Sequence, residues 1–339
     1  MKWRNGKGDI VKDFVKSCKK YGIKPGIYVG IRWDAFMGVH DFKVQGDSEF
    51  SRNRQLYYNK MCEGMVKELC ANYGDWAIIW FDGGAHGPAQ GGPDVLSIVE
   101  KYQPNCLFYH NLQRADMRWG GSESGKVPYP CWGTFNYPAW FYQRGDAEDF
   151  KPIKHGHPEG KYYIPAMADA PLRGYKGRHE WFWEPNDEAH IYPVRNLVDM
   201  YENSVGHNAS LILGLTPNAE GLLPQPDADT LKLFGKVINN RFRQSVGETR
   251  GETQELEIQL PDERSFRDIV IAEQIEKGER IRAFSIQIYK NNQWESLLSG
   301  TCVGHKFIAH LSEPIRCKKI KLTILQSIGQ PSLKQFAVY

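Results

Sequence analysis

The stretch that decides the fold is WAIIWFDGG, residues 76–84. Five apolar residues, 77–81, lead directly to Asp82, and two glycines follow. A short run that is apolar on both faces is typical of a strand in a parallel sheet covered by helices. Glycines next to such a run indicate a turn. The stretch therefore predicts a buried parallel strand that ends at Asp82.

The same alternation extends to both sides of this strand. Helices are predicted at 8–21, 53–72, 93–102, 187–206 and 227–240, and apolar strands at 22–31, 106–111, 162–169 and 210–215. Strands alternate with helices over about 240 residues, which favours a (β/α)8-like TIM barrel. A doubly wound sheet is the alternative. No GxGxxG glycine pattern follows a strand, so nucleotide binding has little support.

The sequence pattern changes after residue 240. Residues 243–254, RQSVGETRGETQ, are polar and are interpreted as a linker. Beyond them only strand-like alternation remains, as in IRAFSIQIY at 281–289. We therefore predict two domains: a barrel over 1–240 and a C-terminal β-sandwich over 241–339.

Composition limits the partners. The 43 basic and 40 acidic residues are scattered, which argues against a nucleic-acid partner. No apolar run approaches the roughly 20 residues of a membrane span. The aromatic share of 13% favours a carbohydrate ligand, although aromatic side chains also fill cores. Neither the seven cysteines nor the histidines show metal-ligand spacing, so no metal or other cofactor is expected.

Two carboxylates are candidates for chemistry. Asp82 is expected at the C-terminal end of a barrel strand, where active sites lie. The alternative is a turn aspartate. Glu123 lies in the loop RWGGSESGKVPYPCW (118–132), which follows the next strand, and the alternative there is a solvated loop carboxylate. Retaining glycosidases need two carboxyl groups about 5–5.5 Å apart, and loops after consecutive strands make such a pair geometrically reasonable.

Several segments together resemble the α-L-fucosidases of glycoside hydrolase family 29 over nearly the whole chain. WAIIWFDGG is similar to the family's nucleophile strand, and RWGGSESG to the motif that holds the acid/base glutamate in the α-1,3/4-specific subfamily. HEWFWEPNDE (179–188) and LVDMYENSVGHNASLILGLTPNAEGLL (197–223) are similar to late-barrel segments. The C-terminal strands, ending in PSLKQFAVY, resemble the sandwich appended in that subfamily. The resemblance implies a catalytic barrel over 1–240 and a carbohydrate-binding-like domain over 241–339.

The resemblance implies a retaining, double-displacement fucosidase. It gives Asp82 the role of nucleophile and Glu123 the role of acid/base. Trp33 and Asp34 match a Trp-Asp pair that shapes the family's pocket. The implied substrates are fucosylated oligosaccharides or glycoconjugates, with fucose in α-1,3 or α-1,4 linkage.

Four further residues are expected to bind substrate. Arg118 would hydrogen-bond fucose or keep a carboxylate ionised; the alternative is an outward surface arginine. Trp181 would face the fucose C6 methyl group or fill a core. Trp119 and Trp132, in the Glu123 loop, complete the predicted set.

Two departures from the family pattern leave other hypotheses open. Residue 1 falls after the family's first two barrel strands and their fucose-binding histidines, so we expect an N-terminally incomplete barrel. Met167 stands where many relatives carry a glutamate. A non-catalytic fucose- or galactoside-binding remnant and a glycosidase for another sugar are the alternatives. The family suggests a secreted, periplasmic or lysosomal protein, but the chain shows no signal peptide. The oligomeric state stays open.

Overall fold

The computed structural model describes residues 3–139, 150–178 and 180–339, which form two compact units. The first unit contains the described residues up to Arg118 together with residues 137–139. The second contains Trp119–Asn136 and the described residues from 150 to Tyr339. Of the motif at 179–188, His179 lies outside the described residues.

The first unit is built on a parallel sheet with the order β1-β4-β5. Its strands are β1 (Gly26–Val29), β2 (Val39–His40), β3 (Lys43–Val44), β4 (Ile78–Phe81) and β5 (Leu107–Tyr109). Its helices are α1 (Ile10–Lys20), α2 (Glu49–Asn72) and α3 (Val95–Tyr102), with 3-10 turns at Trp3–Gly6 and Pro88–Gln90. The predicted alternation of strand and helix is confirmed, with β4 as the central strand.

Side-chain caps set where the helices of this unit begin. Asp9 accepts the Lys12 amide at 2.9 Å and starts α1 at Ile10, within the predicted helix at 8–21. Ser48 accepts the Ser51 amide at 3.1 Å. This cap starts α2 at Glu49, four residues before the predicted start at 53, because it satisfies amides of the first turn.

The second unit continues the same strand and helix order. The chain passes from the first unit to the second within strand β6 (Arg118–Trp119). The next strands are β7 (Thr134–Phe135), β8 (Tyr162–Tyr163), β9 (Ala166–Pro171) and β10 (Ser210–Gly214). Its helices are α4 (Phe150–His155), α5 (Val194–Glu202) and α6 (Gln225–Arg241), with 3-10 turns at Tyr175–Gly177 and Glu188–His190. β9 and β10 pair in parallel, so the repeated strand-helix order of a (β/α) barrel is confirmed.

Two predicted segments differ from the structure. The helix predicted at 187–206 is a single 3-10 turn followed by α5, because Pro193 lacks the amide that a continuous helix needs. The predicted linker at 243–254 contains a strand, Gly247–Gly251, which pairs with the last strand of the chain. It is polar because alternate residues face solvent.

The C-terminal strands form one antiparallel sheet of order β11-β16-β12-β15-β13-β14. They are β11 (Gly247–Gly251), β12 (Glu255–Glu273), β13 (Ile281–Lys290), β14 (Gln293–Gly300), β15 (Phe307–Ser327) and β16 (Leu333–Val338), with a 3-10 turn at Ile275–Lys277. Register shifts interrupt the long β12–β15 pairing, and strands that bend at such bulges can pass from one layer to another. The inward side chains of these strands share one apolar core, which includes Ile269, Phe336, Phe284 and Leu322. The predicted sandwich is confirmed.

A buried ion pair joins the end of β9 to α6. The Arg173 guanidinium donates to both carboxylate oxygens of Asp227 at 3.1 and 2.7 Å. Both side chains are at most 1% exposed. Asp187, equally buried, lies 3.9 Å from the same guanidinium and 3.1 Å from that of Arg178. This network fixes the segment between β9 and α5, which carries Trp181.

Removing Arg173 should therefore destabilise the second unit. Arg173→Met leaves Asp227 and Asp187 buried without that cation, and we expect the free energy of unfolding to fall by about 3–5 kcal/mol. Urea denaturation measures the change. The double variant Arg173→Met/Asp227→Leu should recover part of it, because the carboxylate that accepted both hydrogen bonds is then gone as well. A loss below about 1 kcal/mol in the single variant would contradict this account.

A buried carboxylate also fixes the sandwich. Glu273, 2% exposed, accepts the amides of Arg280 and Ile281 at 2.7 and 3.0 Å and that of Gly304 at 2.8 Å. Burial raises the pKa of Glu273 to about 7, from an ordinary value of 4.5. The carboxyl thus ties the end of β12 to the start of β13 and to the loop before β15.

This pKa predicts a pH dependence of stability. Between about pH 4.5 and 7 the folded chain keeps a Glu273 proton that the unfolded chain loses, so this group's contribution to stability falls as pH rises. Glu273→Gln cannot titrate. In urea unfolding at pH 5 and pH 8, the wild type should lose stability relative to this variant at the higher pH. The contribution of His110, whose pKa burial lowers to about 3, is common to both proteins. An equal difference in the free energy of unfolding between the two proteins at pH 5 and pH 8 would contradict this prediction.

Candidate active site

Asp82 follows the last residue of β4. Phe81 is completely buried and Asp82 is exposed, so the chain leaves the core within one residue. Gly83 and Gly84 have φ of +66° and +86°, a region that favours glycine, and the Gly84 amide donates to the Phe81 carbonyl at 2.9 Å. This tight turn leaves the carboxylate at the C-terminal end of the parallel sheet, as predicted for a barrel site residue.

Tyr28 holds the Asp82 carboxylate. Its hydroxyl donates to Asp82 Oδ2 at 2.8 Å. Tyr28 lies on β1 and pairs in register with Trp80 on β4, two residues before Asp82. Partial burial and the neighbouring carboxylate raise the pKa of Tyr28 above its ordinary value, so the phenol keeps its proton and remains a donor. Sequence reasoning missed Tyr28, because the contact depends on strand pairing and no local pattern signals it.

Trp33 and Asp34 follow β1 in the same unit. Trp33 is 53% exposed, with the Arg32 guanidinium 5.3 Å from its ring centroid and the edge-on His40 ring 4.2 Å away. Asp34 Oδ1 accepts the Met37 amide at 2.8 Å. One oxygen of Asp34 therefore closes a turn of its own loop, and the Trp33 ring is accessible.

The Glu123 loop is tied to β9 at two points. The Gly120 amide donates to the Met167 carbonyl at 2.7 Å, and the Gly125 amide donates to the Asp169 carbonyl at 2.8 Å. A Cβ on Gly120 would lie 2.7 Å from that Met167 oxygen, so glycine permits the close approach. Between these anchors Glu123 is exposed, and its Oε2 accepts a hydrogen bond from Trp181 Nε1 at 3.3 Å.

Trp119 is held by a residue that sequence reasoning missed. Its indole Nε1 donates to Asp169 Oδ1 at 2.9 Å, and Asp169 is only 7% exposed. Asp169 is a single carboxylate within the apolar strand β9, AMADAP. A lone acid in a buried strand is the signal that could have identified it, since buried charges need hydrogen-bonding partners.

Arg118 and Trp132 are buried, unlike the other predicted site residues. Arg118 has no exposed surface, so the alternative of an outward surface arginine is wrong. Trp132 is 6% exposed, and the Arg282 guanidinium lies 4.8 Å from its ring centroid. Arg282 belongs to β13, so Trp132 packs against the sandwich within the second unit. This position does not favour the predicted contact between Trp132 and substrate.

The predicted residues thus fall into separate groups. Asp82, Trp33 and Asp34 belong to the first unit, and Glu123, Trp119, Trp132 and Trp181 belong to the second. Within the described residues, no three His, Cys, Asp or Glu side chains form a group that could hold a metal ion. None of the described helices is long and apolar enough to cross a membrane. The arrangement offers two exposed carboxylates, each with an aromatic hydrogen-bond donor.

Comparisons with known proteins agree on one family. The α-L-fucosidase family model matches residues 2–241. The chain is 26% identical to α-L-fucosidase 1 of Arabidopsis thaliana, over 99% of this chain and 70% of the plant protein. A Bacteroides thetaiotaomicron VPI-5482 protein of solved structure, assigned to the α-L-fucosidases, is 52% identical with a TM-score of 0.97, over 100% of this chain and 77% of that one. A glycoside hydrolase 29 family member from an unknown rumen bacterium is 25% identical with a TM-score of 0.81, over 100% of this chain and 61% of that one.

Proposed function

The chain belongs to the α-L-fucosidase family of glycoside hydrolases, and we propose that it releases terminal α-linked L-fucose from glycans with retention of configuration. The observation that carries the proposal is the pair of exposed carboxylates, Asp82 and Glu123. Each follows or is tied to a parallel strand, and each accepts a hydrogen bond from an aromatic side chain. Retaining glycosidases use two carboxyl groups in distinct roles.

In the first step Asp82 is the nucleophile. Its carboxylate attacks C1 of fucose, and the bond between C1 and the glycosidic oxygen breaks. Glu123 gives its proton to the departing oxygen, which leaves as an alcohol. The product is a fucosyl ester of Asp82. The exposed position of Asp82 just before Gly83 supports this role, because the attacking oxygen must reach a sugar outside the sheet.

In the second step the ester is hydrolysed. Glu123, now ionised, takes a proton from water while the water oxygen bonds to C1. The bond between C1 and Asp82 breaks, so fucose leaves with its original anomeric configuration. The Tyr28 hydroxyl supports both steps: its hydrogen bond orients the Asp82 carboxylate and stabilises the charge that returns to it.

The substrate class follows from the family and the accessible aromatic side chain near the nucleophile strand. Trp33, 53% exposed, offers an apolar face to the C–H face of a sugar. The resemblance of RWGGSESG to the α-1,3/4-specific subfamily supports cleavage of α-1,3- or α-1,4-linked fucose from branched glycans.

The proposed domain division is a barrel over 1–240 and a sandwich over 241–339. Two observations support it: the family model ends at residue 241, and the C-terminal antiparallel sheet begins at Gly247. The two compact units divide the chain elsewhere, after Arg118, because the sandwich packs closely on residues such as Trp132.

Replacing the nucleophile tests the first role. Asp82→Ala should lower kcat for an aryl α-L-fucoside by about 10³–10⁶-fold, because no group then attacks C1. Asp262→Ala is the matched control, since the Asp262 side chain is 63% exposed in the sandwich and should leave turnover unchanged. Release of α-fucose as the first product, followed by proton NMR, checks retention in the wild type. Undiminished turnover of Asp82→Ala would rule out its role.

Replacing the acid/base tests the second role. Glu123→Gln should lower kcat/KM for a fucosylated oligosaccharide by about 10²–10⁴-fold, because the poor leaving group needs a proton. For a fucoside whose leaving group is an acidic phenol, the rate of the first step should fall much less. Glu263→Gln, 64% exposed on the sandwich, is the control. Equal losses for both substrates would speak against general acid catalysis by Glu123.

A further inference from the structure

We propose that Trp181 is a positioning residue for Glu123. Its indole N–H holds one oxygen of the carboxyl group, so that the other oxygen exchanges the proton with the leaving group and with water. The inference rests on the proposed role of Glu123 as acid/base. It assigns Trp181 a function different from the predicted contact with the fucose methyl group.

Glu123 is presented by a loop that β9 holds at both ends. The hydrogen bonds of the Gly120 and Gly125 amides to β9 carbonyls, at 2.7 and 2.8 Å, leave four residues between the anchors. Gly125 has φ of +68°, and a Cβ there would lie 2.8 Å from Met200 Sδ. The loop therefore packs closely on α5, and Glu123 lies in its exposed part.

The Trp181 ring packs against β10, the strand next to β9. A Cβ on Gly214, the last residue of β10, would lie 2.5 Å from Trp181 Cζ3 and 2.6 Å from Cε3. The indole thus rests directly on the Gly214 backbone. Gly214 pairs with Pro171 of β9, so donor and acceptor are anchored on adjacent strands of one sheet.

Ion pairs hold the segment around Trp181. Arg178 contacts Glu184 at 2.6 Å and the buried Asp187 at 3.1 Å. These contacts bracket Trp181 in the sequence. The hydrogen bond from Trp181 Nε1 to Glu123 Oε2 is therefore formed before substrate arrives, and a preorganised donor needs no rearrangement during the reaction.

The indole group of Trp181 can act only as a hydrogen-bond donor to Glu123. An indole N–H donates but does not accept, and it keeps its proton at all ordinary pH values. With Oε2 accepting from Trp181, the acidic proton sits on Oε1. In the first step this proton passes to the glycosidic oxygen as the C1–O bond breaks. In the second step Oε1 takes a proton from water as the bond from C1 to Asp82 breaks.

Trp181→Phe tests the inference, because it keeps a ring on Gly214 and removes the N–H. For substrates with poor leaving groups, kcat/KM should fall by about 10–100-fold, the loss expected for one hydrogen bond to a charged group. For activated aryl fucosides the loss should be several-fold smaller, so the dependence of rate on leaving-group acidity becomes steeper. Trp76→Phe is the control: its Nε1 donates to the Leu69 carbonyl at 2.8 Å, and its loss should not change that dependence.

A second variant and a double variant complete the test. Gly214→Ala displaces the ring without replacing Trp181 and should reproduce the steeper dependence. In the Glu123→Gln background, Trp181→Phe should cost less than about threefold, because it acts through Glu123. Equal losses for all leaving groups, or an undiminished cost in that background, would overturn the role of Trp181. A fully active Glu123→Gln protein would instead overturn the proposed function itself.

Discussion

The in-register parallel pairing of β4 with β1 and β5 decides where the proposed nucleophile emerges. Ile79 pairs with Ile27 on one side and Phe108 on the other, and Phe81 closes the core before the chain turns at Gly83. A slip of one residue would exchange the two faces of the strand and so change the position of the carboxylate that follows it. The same register brings Tyr28 to Asp82. The position and the hydrogen bonding of the nucleophile thus have one structural cause.

The second carboxylate is held by a different device with the same result. Glu123 lies on a glycine-rich loop that could not hold a side chain firmly by itself, and backbone hydrogen bonds to β9 supply the missing order. An aromatic donor then fixes one carboxyl oxygen. Tyrosine and tryptophan suit this purpose because each combines a large packing surface with a single donor. This use of aromatic side chains adds to the sugar-stacking role that the composition suggested.

Much of the fold was predictable from the sequence, since it depends on local patterns. The apolar run before Asp82 predicted β4, and the helical pattern at 8–21 predicted α1. The strand at Gly247–Gly251 was missed because an edge strand with alternate exposed residues is as polar as a linker. The register shifts within the long strand β12 are tertiary features, which no local pattern encodes.

The site was predictable in its carboxylates and less so in their surroundings. Asp82 and Glu123 stand out because each follows a predicted strand in a motif that resembles a known family. Asp169 and Tyr28 contribute through contacts with residues 50 and 54 positions away, which no local pattern encodes. From the sequence, Arg118 was equally compatible with a substrate-binding role and with an outward surface position, and only the folded chain shows it to be fully buried.

The proposed mechanism depends above all on a covalent bond between Asp82 and fucose. A fucosyl fluoride that carries fluorine at C2 slows both steps, and its good leaving group lets the ester accumulate. After incubation of the wild type with this reagent, mass spectrometry of the intact chain and of its peptides locates the adduct. We expect one added 2-fluorofucosyl group on the peptide containing Asp82. Activity should be lost at the same rate as this label appears. An active enzyme labelled on another residue would refute the assignment.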